Sequence, residues 1–465
     1  MKQNYEKAGL LYFIATLFNK GIAFLTVPIF TRILSTSDYG LVTTYDSWVG
    51  IATVVLSLSL YMAIRTAFVD YKGKTNDFLN TILTFTCIIG LTFVVAILVI
   101  QGTLQIKFGI IAVLCVIQGL ADAIIMDYTQ YLMMDYKYIT RTIYMVLPNL
   151  VSVILSIFTI IYIVNDDLYL GKIVPTSIAY FIFGITILFQ VFYKKKPSIN
   201  IEYLQYGLKI SLPLILHGAA LTILSQSDRT MITILAGPSQ TGIYSVVYNF
   251  GMIATVITTT LEGVWVPWFM QRMSAEDYKS INIRVKDYIH LMTYAMICIL
   301  LCGPEVLKFM ASPTYWGGVS IIPPVVLSSY MIFMYGLYVN VEHFYKKTVG
   351  ITFNTIIAAV SNIILNFIFI PHFGYVAAAY TTLASYLICL FLHMYCSKKL
   401  ILELFPIRTF VEPIGMVLSV SVVYYFMLDY AILRWIFMVV FLVIVAYKEK
   451  NQIIGIVNGL VRRGR

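Results

Sequence analysis

Residues 31–45 read TRILSTSDYGLVTTY, and residues 233–247 read TILAGPSQTGIYSVV. At an offset of 202, Ser37 falls on Ser239, Gly40 on Gly242 and Leu41 on Ile243. Each segment sits between two long apolar runs, as the turn between the first two helices of a half. A glycine there lets the chain turn tightly and lets two helices start close together. The repeat predicts two parallel halves of six helices, related by a pseudo-two-fold axis along the membrane normal, with a cleft between them.

Working outward, apolar segments long enough to span a bilayer lie at roughly 8–34, 40–64, 78–101, 107–134, 139–164, 172–193, 207–236, 240–266, 287–309, 318–344, 351–371, 374–396, 410–428 and 431–447. A spanning helix takes ~20 residues. The chain has 465 residues, is 60% hydrophobic and only 12% charged, and leaves no room for a separate soluble domain. An all-α polytopic membrane protein of about fourteen helices follows. Its expected parts are a six-helix bundle over 1–200, a second over 201–400, helices 13 and 14 over 401–450, and a tail over 451–465. In that tail Ile453, Ile454, Ile456, Val457, Leu460 and Val461 precede Arg462, Arg463 and Arg465. The pattern suits either a short amphipathic helix on the membrane surface or a frayed end.

The net charge of +10 raises the question of nucleic acid. Position answers it. With a cytoplasmic N-terminus, 25 of the 32 Lys and Arg fall in inside segments, 5 in outside segments and 2 within spans. The outside set includes Lys172 and Arg434; Lys20 and Arg229 are the two within spans. The asymmetry is that of the positive-inside rule. It predicts a membrane protein with both termini cytoplasmic and basic loops touching lipid headgroups, and no nucleic-acid partner. The first apolar run is too long for a cleaved signal peptide and is broken by Asn19-Lys20.

Catalytic patterns are missing. Gly73-Lys74-Thr75 resembles the end of a phosphate loop, but Phe68 occupies the required earlier glycine position. There is no dinucleotide fingerprint, HExxH or Cys/His cluster, and the six cysteines read as buried small hydrophobes. The external acidic pair Asp166-Asp167 reads as a solvated loop. The expectation is a transporter without cofactor or metal, not an enzyme.

Three segments carry a family resemblance: TRILSTSDYG at 31–40, SDRTMITILAGPSQTGIYSVVY at 227–248, and NIILNFIFIPHFGYVAAAY at 362–380. In these, and in its helix count, the chain resembles the Wzx-type polysaccharide flippases (O-antigen and capsule repeat units) of the multidrug/oligosaccharidyl-lipid/polysaccharide exporter superfamily. The resemblance implies a flippase. It would carry undecaprenyl-pyrophosphate-linked oligosaccharide from the cytoplasmic to the outer leaflet by alternating access, with H⁺ or Na⁺ as coupling ion. A polysaccharide polymerase would be a natural partner. A lipid II flippase and a drug/ion antiporter of the same superfamily remain open, as does a membrane polysaccharide polymerase from another class.

Ionisable residues inside the membrane are costly, so they mark candidate sites. Lys20 and Arg229 are candidate cavity cations for the pyrophosphate. Asp46, Asp228 and Arg229 lie at similar depth below the repeat turns and form a candidate gate. Asp122, one turn from Gln118, and Asp127 are candidates for ion coupling. His217, Asn354, Asn362 and Asn366 are candidates for a polar lining. Each has an ordinary alternative as a packing or interhelical hydrogen-bonding group. The pair Glu342-His343 reads as a wetted helix end.

Overall fold

The computed structural model describes residues 21–22, 24–104 and 109–450, which are helical almost throughout. Lys20 and the tail over 451–465 lie outside the described residues. The first elements are α1 (Phe24–Ile33), α2 (Thr36–Ser57), α3 (Tyr61–Asp70), α4 (Thr75–Leu104), α5 (Gly109–Met134), α6 (Tyr138–Tyr162) and α7 (Leu170–Lys194). There follow α8 (Ile201–Ala236), α9 (Pro238–Tyr248), α10 (Phe250–Ser274), α11 (Tyr278–Met310), α12 (Ile322–Phe344) and α13 (Thr348–Leu400). The last two are α14 (Arg408–Phe426) and α15 (Ala431–Lys448). Among the described residues, eleven candidate membrane spans are long and apolar enough to cross a bilayer.

Expected spans and observed helices agree closely, and the differences have local causes. The second expected span is α2 plus α3, broken where Leu58 and Ser59 take positive φ. The eighth is α9 plus α10. The eleventh and twelfth form α13, which bends at Gly374, with φ 59° and ψ −144°. Glycine has no Cβ to clash in that region. Pro148 and Pro175 lie inside α6 and α7. Pro323 and Pro324 instead open α12, where the missing N–H costs little.

Side-chain caps set several helix starts. Ser35 accepts from the Asp38 N–H at 3.1 Å to begin α2. Asn200 accepts from the N–H groups of Glu202 and Tyr203 to begin α8. Each cap satisfies amides that the helix leaves orphaned.

The chain divides into two compact units that cut across the sequence halves. One comprises residues 1–246 with 348–385, the other 247–347 with 386–465. In the first unit, Ile82, Leu83, Ala123 and Ile187 are fully buried between helices. In the second, Arg434 lies at the start of α15. It is 1% exposed and donates to the carbonyls of Leu301, Met427 and Leu428 and to the Glu305 carboxylate. Carbonyls at the α14–α15 turn attract the guanidinium and fix that turn to α11.

Candidate functional site

The two repeat segments meet. Helices α2 and α9 cross so tightly that a Cβ at Gly40 would overlap the Pro238 carbonyl oxygen. A Cβ at Gly242 would overlap the carbonyl oxygen of Thr36. Thr36 and Pro238 are themselves related by the repeat offset, so the two contacts are one contact made twice. The Ser245 hydroxyl donates to Thr43 Oγ1 at 3.0 Å, and these residues also obey the offset. Thr36 and Ser239 share a hydrogen bond of 2.7 Å, and Thr44 and Thr233 one of 2.6 Å. Beyond the crossing, Gln240 Oε1 accepts from the Tyr375 amide at 2.9 Å and seats the α13 bend. Small residues and hydroxyls thus close this end of the first unit, the mode of packing available where no water drives helices together.

Below the crossing lies a group of charges. Asp46 is exposed, and among the described residues it feels the charge of Lys172 most and of Arg229 next. Lys172, in the first turn of α7, places its ammonium 4.3 Å from the Phe30 ring centroid and 5.6 Å from that of Tyr39. Arg229 donates to Ser225 O at 3.0 Å and Gln226 Oε1 at 2.9 Å, and the Ser47 hydroxyl reaches the same Gln226 oxygen at 3.3 Å. Asp122 on α5 lies half-buried within the field of Asp46. Behind it, Tyr45 donates to Gln118 Oε1 at 3.0 Å and Ser177 hydrogen-bonds both Tyr45 and Gln118. Helices α2, α5, α7 and α8 therefore bring two acids and two bases together within the membrane-spanning part.

Asp228, expected at the gate beside Arg229, faces the other way. It is fully buried and accepts from Tyr244 at 2.6 Å, Asn366 at 2.7 Å and Thr382 at 2.7 Å. Consecutive helical residues point about 100° apart, so Asp228 and Arg229 cannot serve one face. Asn362 Oδ1 accepts from Asn366 at 3.2 Å and from Ser227 at 3.3 Å, and Thr381 donates to Asn366. This knot joins α8, α9 and both arms of α13. Its oxygens are hard donors of the kind small cations take, but a cation there would have to displace internal hydrogen bonds.

The remaining candidates scatter. Asp127 is fully buried on α5. Thr86 donates to one of its oxygens at 3.5 Å, and the other has no hydrogen-bond partner among the described atoms. Asn354 is buried on α13, lower than Asn362 and Asn366. His217 belongs to α8, but its side chain lies outside the described residues. Sequence reasoning missed three features. Lys172 looked like a loop cation because it follows a polar stretch. Tyr244 and Thr382 carry no charge to draw notice. Glu342 is no wetted end: it is 1% exposed, and the Nδ1 atom of the fully buried His393 lies 3.1 Å from both its oxygens.

Such an arrangement defines an all-α polytopic membrane fold with polar and charged groups in its interior. The sequence profile of the family described as polysaccharide biosynthesis protein matches residues 7–273. The chain belongs to that family. It is 22% identical over 397 residues to protein 1 of the Lsg locus of Haemophilus influenzae, covering 80% of this chain and 94% of the relative. Among solved structures it is similar to the lipid II flippase MurJ in an inward closed conformation, with TM-score 0.67 and 16% identity over 96% of this chain and all of that one. It is also similar to an inward-facing multidrug resistance MATE family transporter of the MOP superfamily, with TM-score 0.58 and 14% identity over 83% and 94% of the two chains. These likenesses establish the fold of that superfamily. The protein is a multi-pass membrane protein.

Proposed function

We propose that this protein flips undecaprenyl-pyrophosphate-linked oligosaccharide units from the cytoplasmic to the outer leaflet of a bacterial inner membrane, with both termini cytoplasmic. The observation that carries the reading is an exposed Asp46 in the electrostatic field of Lys172 and Arg229, on the same helix as the Gly40 crossing. A diphosphate crossing ~30 Å of hydrocarbon needs cations, and cations without cargo need a counter-ion. Asp46 supplies one. Cargo diphosphate takes its place at Arg229 and Lys172, with Lys20 as a further candidate cation. Opening the α2–α9 crossing then exposes the head to the far side while the prenyl chain stays in lipid.

Coupling to H⁺ or Na⁺ belongs to the same proposal. Asp122, within the field of Asp46, and Asp127, one of whose oxygens has no hydrogen-bond partner among the described residues, are its candidate carboxylates. A polymerase partner would consume the flipped unit. A second reading, lipid II as cargo, is favoured by the full-length match to a lipid II flippase, since that match extends over α14 and α15. The test is a deletion strain with labelled lipid-linked intermediates. Single repeat units trapped on the cytoplasmic leaflet support the first reading. Trapped lipid II supports the second. Units that reach the outer leaflet but stay unpolymerised would overturn both.

A further inference from the structure

The second unit holds a cavity of about 750 Å³ between α10, α11 and α15 that the transport reading does not use. It lies where α10 ends at Ser274, α11 begins at Tyr278 and α15 ends at Lys448. Trp268 and Arg284 are each six residues from those ends, ~9 Å along a helix at 1.5 Å per residue. Trp268 and Arg284 are thus at the depth of the headgroup and glycerol region, and Leu261 and Tyr294 carry the lining deeper into the bilayer. Val264 and Leu291 in its lining are 74% and 52% exposed, so this face meets lipid.

The lining has mixed charge. The Arg284 guanidinium stands 5.8 Å from the Trp268 ring centroid, while Asp287 and Glu449 supply carboxylates. Tyr294 donates to Glu449 at 3.2 Å and holds that carboxylate in place. Trp265 stacks on Tyr288 with centroids 4.7 Å apart and forms an aromatic wall. Among the described residues, three lining residues keep a buried polar atom without a hydrogen-bond partner: Trp265 Nε1, Tyr288 OH and His290 Nε2. Buried polar atoms are nearly always paired, so three around one cavity point to a ligand. The His290 Nδ1 hydrogen is already given to Lys286 O at 2.7 Å, which leaves Nε2 of the neutral ring as an acceptor.

A simple anion would sit beside two carboxylates, and a simple cation beside an arginine. A group carrying both charges suits the lining. We propose that this cavity binds the headgroup of a phosphatidylethanolamine-type lipid from the adjacent leaflet. Its phosphodiester faces Arg284 and brings acceptors to the indole N–H and the phenol O–H. Its ammonium faces Glu449 and His290 and lies against aromatic faces. The acyl chains run out along the exposed apolar side of α10 and α11.

The test uses the full chain in detergent, with native mass spectrometry after adding one lipid at a time. One phosphatidylethanolamine should survive activation, at least fivefold more than phosphatidylglycerol. Arg284→Ala should lower retention of both at least fivefold, whereas Arg284→Lys should keep it. Glu449→Gln should bring phosphatidylethanolamine down to the phosphatidylglycerol level and leave the latter unchanged. Melting curves matching the wild type show that each variant is folded. Equal retention of the two lipids overturns the proposal. So does one-for-one displacement by undecaprenyl pyrophosphate, which would make the cavity part of the cargo path. Stronger lipid binding by a chain ending at Lys450 also overturns it, because the segment 451–465 would then be the occupant.

Discussion

Gly40 and Gly242 each rest against the backbone of the other's helix, so that neither can carry even a methyl group without moving its neighbour. Gly40→Ala should therefore open the α2–α9 crossing, and Gly242→Ala should do the same through the symmetry-related contact. Thiol accessibility at position 43 should rise several-fold in either variant, and flipping should fall at least tenfold. Unchanged accessibility would mean that the crossing relaxes without opening.

The Thr43 and Ser245 hydroxyl oxygens are 3.0 Å apart. With the six native cysteines replaced, Thr43→Cys with Ser245→Cys should cross-link on oxidation and hold the crossing shut. Flipping should drop more than tenfold and return on reduction. Full cross-linking with undiminished flipping would exclude the crossing as a moving gate.

Asp46 and Arg229 can be tested by exchange. Asp46→Arg and Arg229→Asp alone should each cost at least tenfold in flipping, because each leaves like charges facing within the membrane. The double exchange should recover several-fold over either single variant. A double variant no better than the singles sinks the idea that the two act on one another. Lys172→Ala should resemble Arg229→Ala, since both remove a neighbour of Asp46.

Two buried carboxylates should govern stability. Asp228→Ala strands the Tyr244, Asn366 and Thr382 donors, and His393→Ala strands the Glu342 carboxylate. Leaving a buried polar group without its hydrogen-bond partner costs about 1–3 kcal/mol, so both variants should melt below the wild type. Joining Glu342→Gln to His393→Ala should restore part of the loss, since no lone carboxylate then remains. Additive losses in the double variant would show that the pair is not coupled.

Asp277, between the spans, offers a pH test. Its side chain accepts from the Ser280 amide and from Arg272, and the Ser280 hydrogen bonds foremost hold its carboxyl below the usual carboxylate range. A lowered folded-state value means its contribution is present above the unfolded value of ~3.9 and is lost as pH falls below it. Amide exchange at 278–281 should quicken at pH 3 relative to pH 6, after correction for intrinsic rates. In Asp277→Asn the difference should shrink. Equal protection at both pH values in the wild type would contradict the cap.

The helices, their approximate number and the repeat are legible in the amino-acid order alone. Hydropathy over ~20 residues is a local property, and a glycine pair recurring 202 residues apart survives without any knowledge of contacts. Charge singled out Asp46, Asp122 and Arg229 for the same reason: ionised groups are expensive in hydrocarbon wherever they sit. Only the tertiary structure decided what each faces. Asp228 turned from Arg229 because neighbours on a helix diverge by about 100°. Lys172 came under Phe30 and Tyr39 because α7 brings its first turn beside α1 and α2. Glu342 met His393 across 51 residues, and Arg434 went inside to satisfy carbonyls of a turn whose shape no local pattern records. Burial is priced residue by residue, but pairing depends on the angle and depth at which whole helices pack.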